Sequence, residues 1–387
     1  MRHSYPTNLK QESGFQWKSI GWIIVLATFM AGPQLVAQSP GSYMVLDAGL
    51  GTVVKHRPTM VFPVERAARS VTLEYLRQTD GSKDWATAMI RPNWGVAFHW
   101  QDYGNREVLG YVYAISPYLA LPILRLGPAT LWGRMDMGFA YHDRIFDRET
   151  NPLNNAIGSR INNYTSFGIL AEAQVTPDIF VRLGGHFAHQ SNARARLPNL
   201  GLNTPQWRAG IGYRIQPTPT LPPRSRKEIS YDRTWHYYAR VGFGRIEQKV
   251  NDGPRYPIWV VSAFASRRFR PVQRIMVGVE ISHDAALAEL IRNQDLPPEA
   301  NVTATRPAVW AGYELGSDKF GMLGQIFLYL HDKPGSYGKQ YWGTRFGPTY
   351  YFRGADPNAR FTPFVGMYLK THLFIADYFE TSVGIRF

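Results

Sequence analysis

His189 and Ser191 lie two residues apart in the stretch HFAHQSNARARLPNLGLN, residues 186–203. In an extended chain such residues project from one face, so the imidazole can take the hydroxyl proton as the serine attacks an ester carbonyl. Acyl transfer also needs donors for a tetrahedral oxyanion, and the side-chain amides of Asn192 and Asn199, with nearby backbone N–H groups, are of the right type. A third group should orient the imidazole, and the nearest in sequence is Asn203. Arg194 and Arg196 suit lipid phosphates, although a solvated loop explains them nearly as well. A His-x-Ser pair is common, and the stretch can equally be read as the polar rim of a structural loop. Its meaning depends on the strand that carries it.

In that strand Ile179, Val181, Leu183, Gly185 and Phe187 share one face, and Phe180, Arg182, Gly184 and His186 the other. Continuing the period puts His189 and Ser191 at the outer end of the apolar face, where a polar pair is costly unless it meets a lipid headgroup or a substrate. The next strand repeats the pattern: Trp207, Ala209, Ile211, Tyr213 and Ile215 alternate with Arg208, Gly210, Gly212 and Arg214. The last does so too, with Phe379, Thr381, Val383, Ile385 and Phe387 on one face. Similar segments recur from 44–54 to 375–387, about 16 in all with a range of about 12–16.

At the N-terminus, Lys10 and Lys18 precede the apolar run Ile20 to Ala31, and Leu35-Val36-Ala37 offers a small-residue cleavage site. Residues 1–37 therefore read as a secretory signal peptide cleaved near Ala37, the run being short for a membrane anchor. The chain has no cysteine, which excludes disulfides, thiolate metal sites and lipid attachment through cysteine. The formal charge is +14, of which residues 1–37 carry little. In a secreted chain such a balance favours phosphorylated lipid or an acidic membrane surface over nucleic acid. The sequence shows no glycine-rich phosphate loop and no metal-ligand spacing, so neither a metal nor a cofactor is expected. The histidines at other outer strand ends, His142, His283, His331 and His372, suit the membrane interface. Asp143 and Asp284, each after one of them, read as solvated loop residues.

After Ala37 no apolar run reaches the length of a spanning helix, while aromatics make up 14% of the chain. A secreted chain of this kind must close a sheet to satisfy its backbone. The expected fold is all-β, a transmembrane antiparallel outer-membrane β-barrel, with residues 38–387 forming a single barrel. With both termini periplasmic, 176–178, 270–273 and 316–319 become short inner turns, and 143–163, 192–205 and 284–304 become long outer loops. The Pro-rich segment 216–233 fits poorly, being too long for an inner turn. It marks either a junction between a core and an extension or an error in the strand count.

The pattern His189-x-Ser191-Asn192, then Pro198-Asn199-x-Gly201, then a strand with Gly210-x-Gly212-Tyr213, resembles the lipid A 3-O-deacylase (PagL-type) family of outer-membrane acyloxyacyl hydrolases. The outer-loop run Asn151-Pro-Leu-Asn154-Asn-Ala-Ile-Gly158-Ser is similar to longer members, as is Leu369-Lys-Thr-His372 with Ala376-Asp377 and Glu380. The resemblance implies Ser191 as nucleophile, His189 as general base, Asn192 and Asn199 around the oxyanion, and lipid A or lipopolysaccharide as substrate in the outer membrane. It covers 44–216 as a deacylase-like core, the family's barrels having about half the strands counted here, and leaves 217–387 as additional barrel strands. The best-known members orient the histidine with a glutamate where this chain has Asn203. An asparagine can accept the imidazole N–H but stabilises the imidazolium less, which predicts weaker activity or an acid from a neighbouring strand. The terminal Phe387 resembles the signature read by the barrel-assembly machinery. The other reading is a passive channel: a barrel of about 16 strands encloses an aqueous lumen, and Arg182, Arg208, Arg214, Arg240 and Arg386 inside it would favour anions.

Overall fold

Strands that alternate apolar and polar side chains bury the polar set when their apolar set faces lipid, the inverse of a soluble sandwich. That inversion runs through the computed structural model, which describes residues 41–217, 229–248, 251–293, 303–330, 341–354, 360–372 and 375–387. The signal peptide, its cleavage near Ala37 and His331 lie outside the described residues. Leu46, Leu73, Phe98, Ile115, Ile169 and Trp207 are exposed on the outer surface, while Glu74, Arg134, Asp136 and Arg208 are buried inside.

The first eight strands are β1 Gly41–Gly51, β2 Ala68–Gln78, β3 Asn93–Asp102, β4 Tyr111–Leu126, β5 Ala129–His142, β6 Ile161–Gln174, β7 Ile179–Ser191 and β8 Leu202–Pro217. The next eight are β9 His236–Glu247, β10 Arg255–Arg270, β11 Gln273–Asp284, β12 Thr305–Gly316, β13 Phe320–Tyr329, β14 Trp342–Tyr351, β15 Thr362–His372 and β16 Ile375–Arg386. All neighbouring pairs are antiparallel. The expected number of strands is present, but the expected single closure is not. β8 returns to pair with β1, with Trp207 opposite Leu50, and β16 pairs with β9, with Val383 opposite Val241. The chain therefore makes two closed barrels, β1–β8 and β9–β16. Alternation fixes which face of a strand meets lipid but says nothing about which edge its hydrogen bonds seek. The Pro-rich segment that was too long for a turn falls between Pro217 and His236, where one sheet has closed and the next begins.

Closure at eight strands also removes the wide lumen, because an eight-stranded barrel is just wide enough for its own side chains. In the first barrel Arg134 donates to Glu74 Oε1 at 2.6 Å and to both oxygens of Asp136, and Arg182 joins Asp47 to Glu74. In the second, Arg240 and Arg345 are held between Glu280 and Glu380. Buried charges require such pairing. Arg208 donates to the Tyr164 hydroxyl, Arg214 pairs with Asp178 at 2.6 Å, and Arg386 donates to Thr362. The five arginines expected along an aqueous lumen are thus bound to the barrels' own groups.

Short connections fall at 175–178, 271–272 and 317–319, as the loop-length argument requires. Among the described residues two helices were not legible: α1 Asp84–Ala88 between β2 and β3, and α2 Ala285–Arg292 after β11. Asp284 caps α2, its carboxylate accepting from the N–H groups of Ala286 and Leu287. On the first barrel the outer loops share a core of Val53, Met60, Phe62, Leu109, Ile157 and Leu202. Asn151 and Asn154 stitch it from within, both donating to the Val108 carbonyl.

Candidate active site

Three neighbouring chain segments converge at the outer end of the first barrel. In the β7–β8 register His189 stands directly opposite Asn203. Beyond β1 the chain continues along β8, where the Val54 N–H donates to the Asn203 carbonyl at 2.8 Å, and this brings His56 to the same place. His189, Ser191 and Asn203 all continue the outward-facing set of their strands, followed toward the membrane by Phe187 on β7 and by Pro205 and Trp207 on β8. Trp207 is 69% exposed, whereas Ser191 is only 4% exposed beneath the outer loops.

The hydrogen bonds fix the state of each group. Asn203 Nδ2 lies 3.1 Å from His56 Nδ1, so the amide nitrogen donates there and turns its carbonyl oxygen to His189. That oxygen lies 2.6 Å from His189 Nδ1, which must carry the proton. Nε2 is then the unprotonated nitrogen, 3.1 Å from Ser191 Oγ, and accepts from the hydroxyl. This tautomer is the one a general base needs. Gly201, at φ 75°, passes close by: a Cβ there would lie 3.0 Å from His189 Cε1 and 3.0 Å from the Gln190 carbonyl.

The loop after Ser191 is held by its asparagines. Asn199 Oδ1 accepts the Asn192 backbone N–H at 2.8 Å, so its own amide nitrogen points away from that bond. Asn192 Nδ2 donates one hydrogen to Ser159 Oγ at 2.8 Å, and its Oδ1 accepts the Arg196 N–H. The bond to Ser159 uses one of the two Nδ2 hydrogens and leaves the other as a donor beside Ser191. Among the described residues no hydrogen-bond partner is found for Asn199 Nδ2, for the second Nδ2 hydrogen of Asn192, or for the N–H groups of Ala193 and Arg194. Gly158 leaves no room for a side chain, since a Cβ would meet the Leu197 carbonyl at 2.6 Å.

Arg194 and Arg196, expected to be open to phosphate, are turned to the second barrel. Arg196 Nη1 donates to Glu247 Oε1 at 2.9 Å, and Arg194 donates to Gln248 and lies 3.8 Å from Asp377. His372 is not part of the site: its Nδ1 meets Asp377 Oδ2 at 3.2 Å in the second barrel. His142 is buried inside the first barrel, and His283 bonds Thr305 at the second barrel's rim. Sequence reasoning gave no role to His56, Ser159 and Glu247: Ser159 closes the outer-loop run noted above, and the other two lie far from Ser191 along the chain and in no motif. Among the described residues no cluster of three or more His, Asp or Glu could hold a metal ion. A cavity runs along the apolar wall past Ile169, Phe187 and Trp207 and does not include His189 or Ser191.

Two family models match this chain. The lipid A 3-O-deacylase (PagL) model matches residues 69–216, and the acyloxyacyl hydrolase C-terminal domain model matches residues 233–387. No match emerges among curated protein sequences. Among solved structures, the outer membrane enzyme PagL overlays at 15% identity and a TM-score of 0.30, covering 43% of this chain and 97% of that one. A BenF-like porin from Pseudomonas fluorescens gives 11% identity and 0.22, covering 91% and 98%. The Pseudomonas putida toluene transporter TodX gives 9% and 0.16, covering 89% and 88%. Family membership rests on the two models, whose joint boundary falls in the segment between the barrels.

Proposed function

Because the chain belongs to the lipid A 3-O-deacylase (PagL) family and carries an acyloxyacyl hydrolase C-terminal domain, we propose that its first barrel removes an ester-linked acyl chain from lipid A in the outer leaflet of the outer membrane. Ser191 is the nucleophile in this reading and His189 the general base, with Asn203 orienting the imidazole. His189 takes the hydroxyl proton as Oγ attacks the acyl carbonyl, and the side-chain amides of Asn192 and Asn199, with the Ala193 N–H, receive the oxyanion. Collapse returns the proton from His189 to the departing sugar oxygen. Water, deprotonated by the same imidazole, then attacks the acyl-serine and frees the fatty acid. The sequence of steps consumes only water and calls for no cofactor.

The observation that carries the reading is the run Ser191–His189–Asn203–His56, joined by hydrogen bonds of 2.6 to 3.1 Å on the outward face of the barrel. A hydrolase of soluble esters has no use for a nucleophile on the lipid-facing side. The apolar surface of Phe187, Leu183 and Trp207 toward the membrane suits the acyl chain of a lipid whose ester sits level with Ser191. Phe387, outward-facing and packed edge-on against Phe361, is available to the assembly machinery.

The test is the mass spectrum of lipid A from a host expressing this protein beside one expressing Ser191→Ala. The expected result is loss of one hydroxyacyl mass with the intact serine alone. Unchanged lipid A in both, with the barrels inserted, overturns the reading.

A further inference from the structure

The loop between Ser191 and Asn203 adopts a costly conformation. Ala193 and Arg194, neither of them glycine, take φ values of 50° and 64°. Left-handed backbone in residues with a Cβ persists only where surrounding contacts hold it. Part of that support comes from the loop itself, through the Asn192–Asn199 bond and the Ala195 N–H to the Asn192 carbonyl. The rest comes from the second barrel.

Glu247, the last residue of β9, reaches the loop with its backbone and with both carboxylate oxygens. Its N–H donates to the Arg194 carbonyl at 2.9 Å, at one of the two left-handed positions. Its Oε1 accepts from Arg196 Nη1 at 2.9 Å, and its Oε2 accepts the Leu197 N–H at 2.5 Å. The side chain is 0% exposed. A carboxylate removed from water and satisfied by the neighbouring barrel's loop is a different matter from an exposed rim pair, which contributes little. The loop it grips carries the Ala193 N–H and Asn199.

We propose that the second barrel braces the active-site loop of the first, with Glu247 as a positioning residue that holds the oxyanion donors in place after Ser191. The brace rests on the deacylase reading for its effect on rate, but not for its effect on the loop. It assigns a role to the C-terminal barrel, whose interior is filled by its own ion pairs: the described part of its outer rim supplies the fixed point against which the loop is set. Glu247 touches no substrate and acts only through Arg194, Arg196 and Leu197.

The experiment compares the full chain with Glu247→Ala, Glu247→Gln and, as a control, Asp252→Asn. Asp252 is exposed and stands 4.0 Å from Arg196, so its substitution should leave the loop unchanged. Heat-modifiable mobility on gels reports that both barrels are closed. Hydrogen exchange of the peptide spanning 192–199, read by mass spectrometry in detergent, should quicken about tenfold or more in Glu247→Ala and less in Glu247→Gln, which keeps one acceptor for the Leu197 N–H. Deacylation of lipid A micelles should lose about 10- to 100-fold in kcat with KM little changed. Exchange that stays at the wild-type rate in Glu247→Ala overturns the brace, whatever the enzyme does. Faster exchange with an unaltered kcat overturns the positioning role. Activity that survives Ser191→Ala instead sinks the deacylase reading and leaves the exchange result standing.

Discussion

Asn203 occupies the place where an acid would strengthen the base, and Asn203→Asp puts one there. The Asn203 oxygen already lies 2.6 Å from His189 Nδ1, so the substitution adds charge without moving an atom. In the proposed mechanism His189 becomes an imidazolium as Ser191 attacks, and a full charge beside it lowers the barrier while leaving the ground state nearly untouched. Two unit charges about 4 Å apart attract by about 4 kcal/mol at an effective dielectric constant of about 20. Desolvating the new carboxylate at this half-buried position takes back much of that. Hydrogen bonds to charged partners are worth about 1.5–3 kcal/mol, against about 0.5–1.5 for neutral ones. The difference, about 1–1.5 kcal/mol, corresponds to a rise in kcat of about five- to tenfold. His56 Nδ1 stands 3.1 Å from the amide nitrogen and, by moving its proton to that atom, can donate to the new carboxylate. The assay is the initial rate of fatty-acid release from lipid A in detergent micelles, with Asn203→Ala and Ser191→Ala beside it. Asn203→Ala should fall below wild type. If Asn203→Asp is no faster than wild type with the barrels intact, the imidazolium is not limiting and the reasoning fails.

Gly201→Ala forces a side chain into a left-handed position at a cost of about 1–2 kcal/mol and drives its Cβ against the His189 ring. The expected outcome is a kcat lowered about tenfold or more with the heat-modifiable form retained, and an unaffected kcat would mean that the ring has room to yield. The filled interiors also predict that the purified protein in planar bilayers produces no steady anion-selective conductance steps. Reproducible steps would show that the ion pairs of Arg134, Arg182, Arg240 and Arg345 open to water.

Period-2 alternation determined that the chain forms membrane-facing strands, and it put His189 and Ser191 on the lipid side of β7, because side-chain direction along a strand is a local property. The spacing of His189 and Ser191 and the position of Asn203 after the Pro198-Asn199 turn could be read for the same reason, since all sit within one hairpin. Strand closure could not. Whether β8 pairs with β1 or with β9 depends on edges that lie up to a whole barrel apart in sequence, and both pairings satisfy the same alternation. The partners of single polar groups were equally out of reach. His56 meets Asn203, Ser159 meets Asn192 and Glu247 meets Leu197 only once the sheet has closed and the outer loops have packed. A hydrogen bond depends on where atoms arrive, and long-range arrival is decided by the whole barrel. Arg194 and Arg196 illustrate the limit: by type they suit phosphate, and by tertiary structure they grip the second barrel.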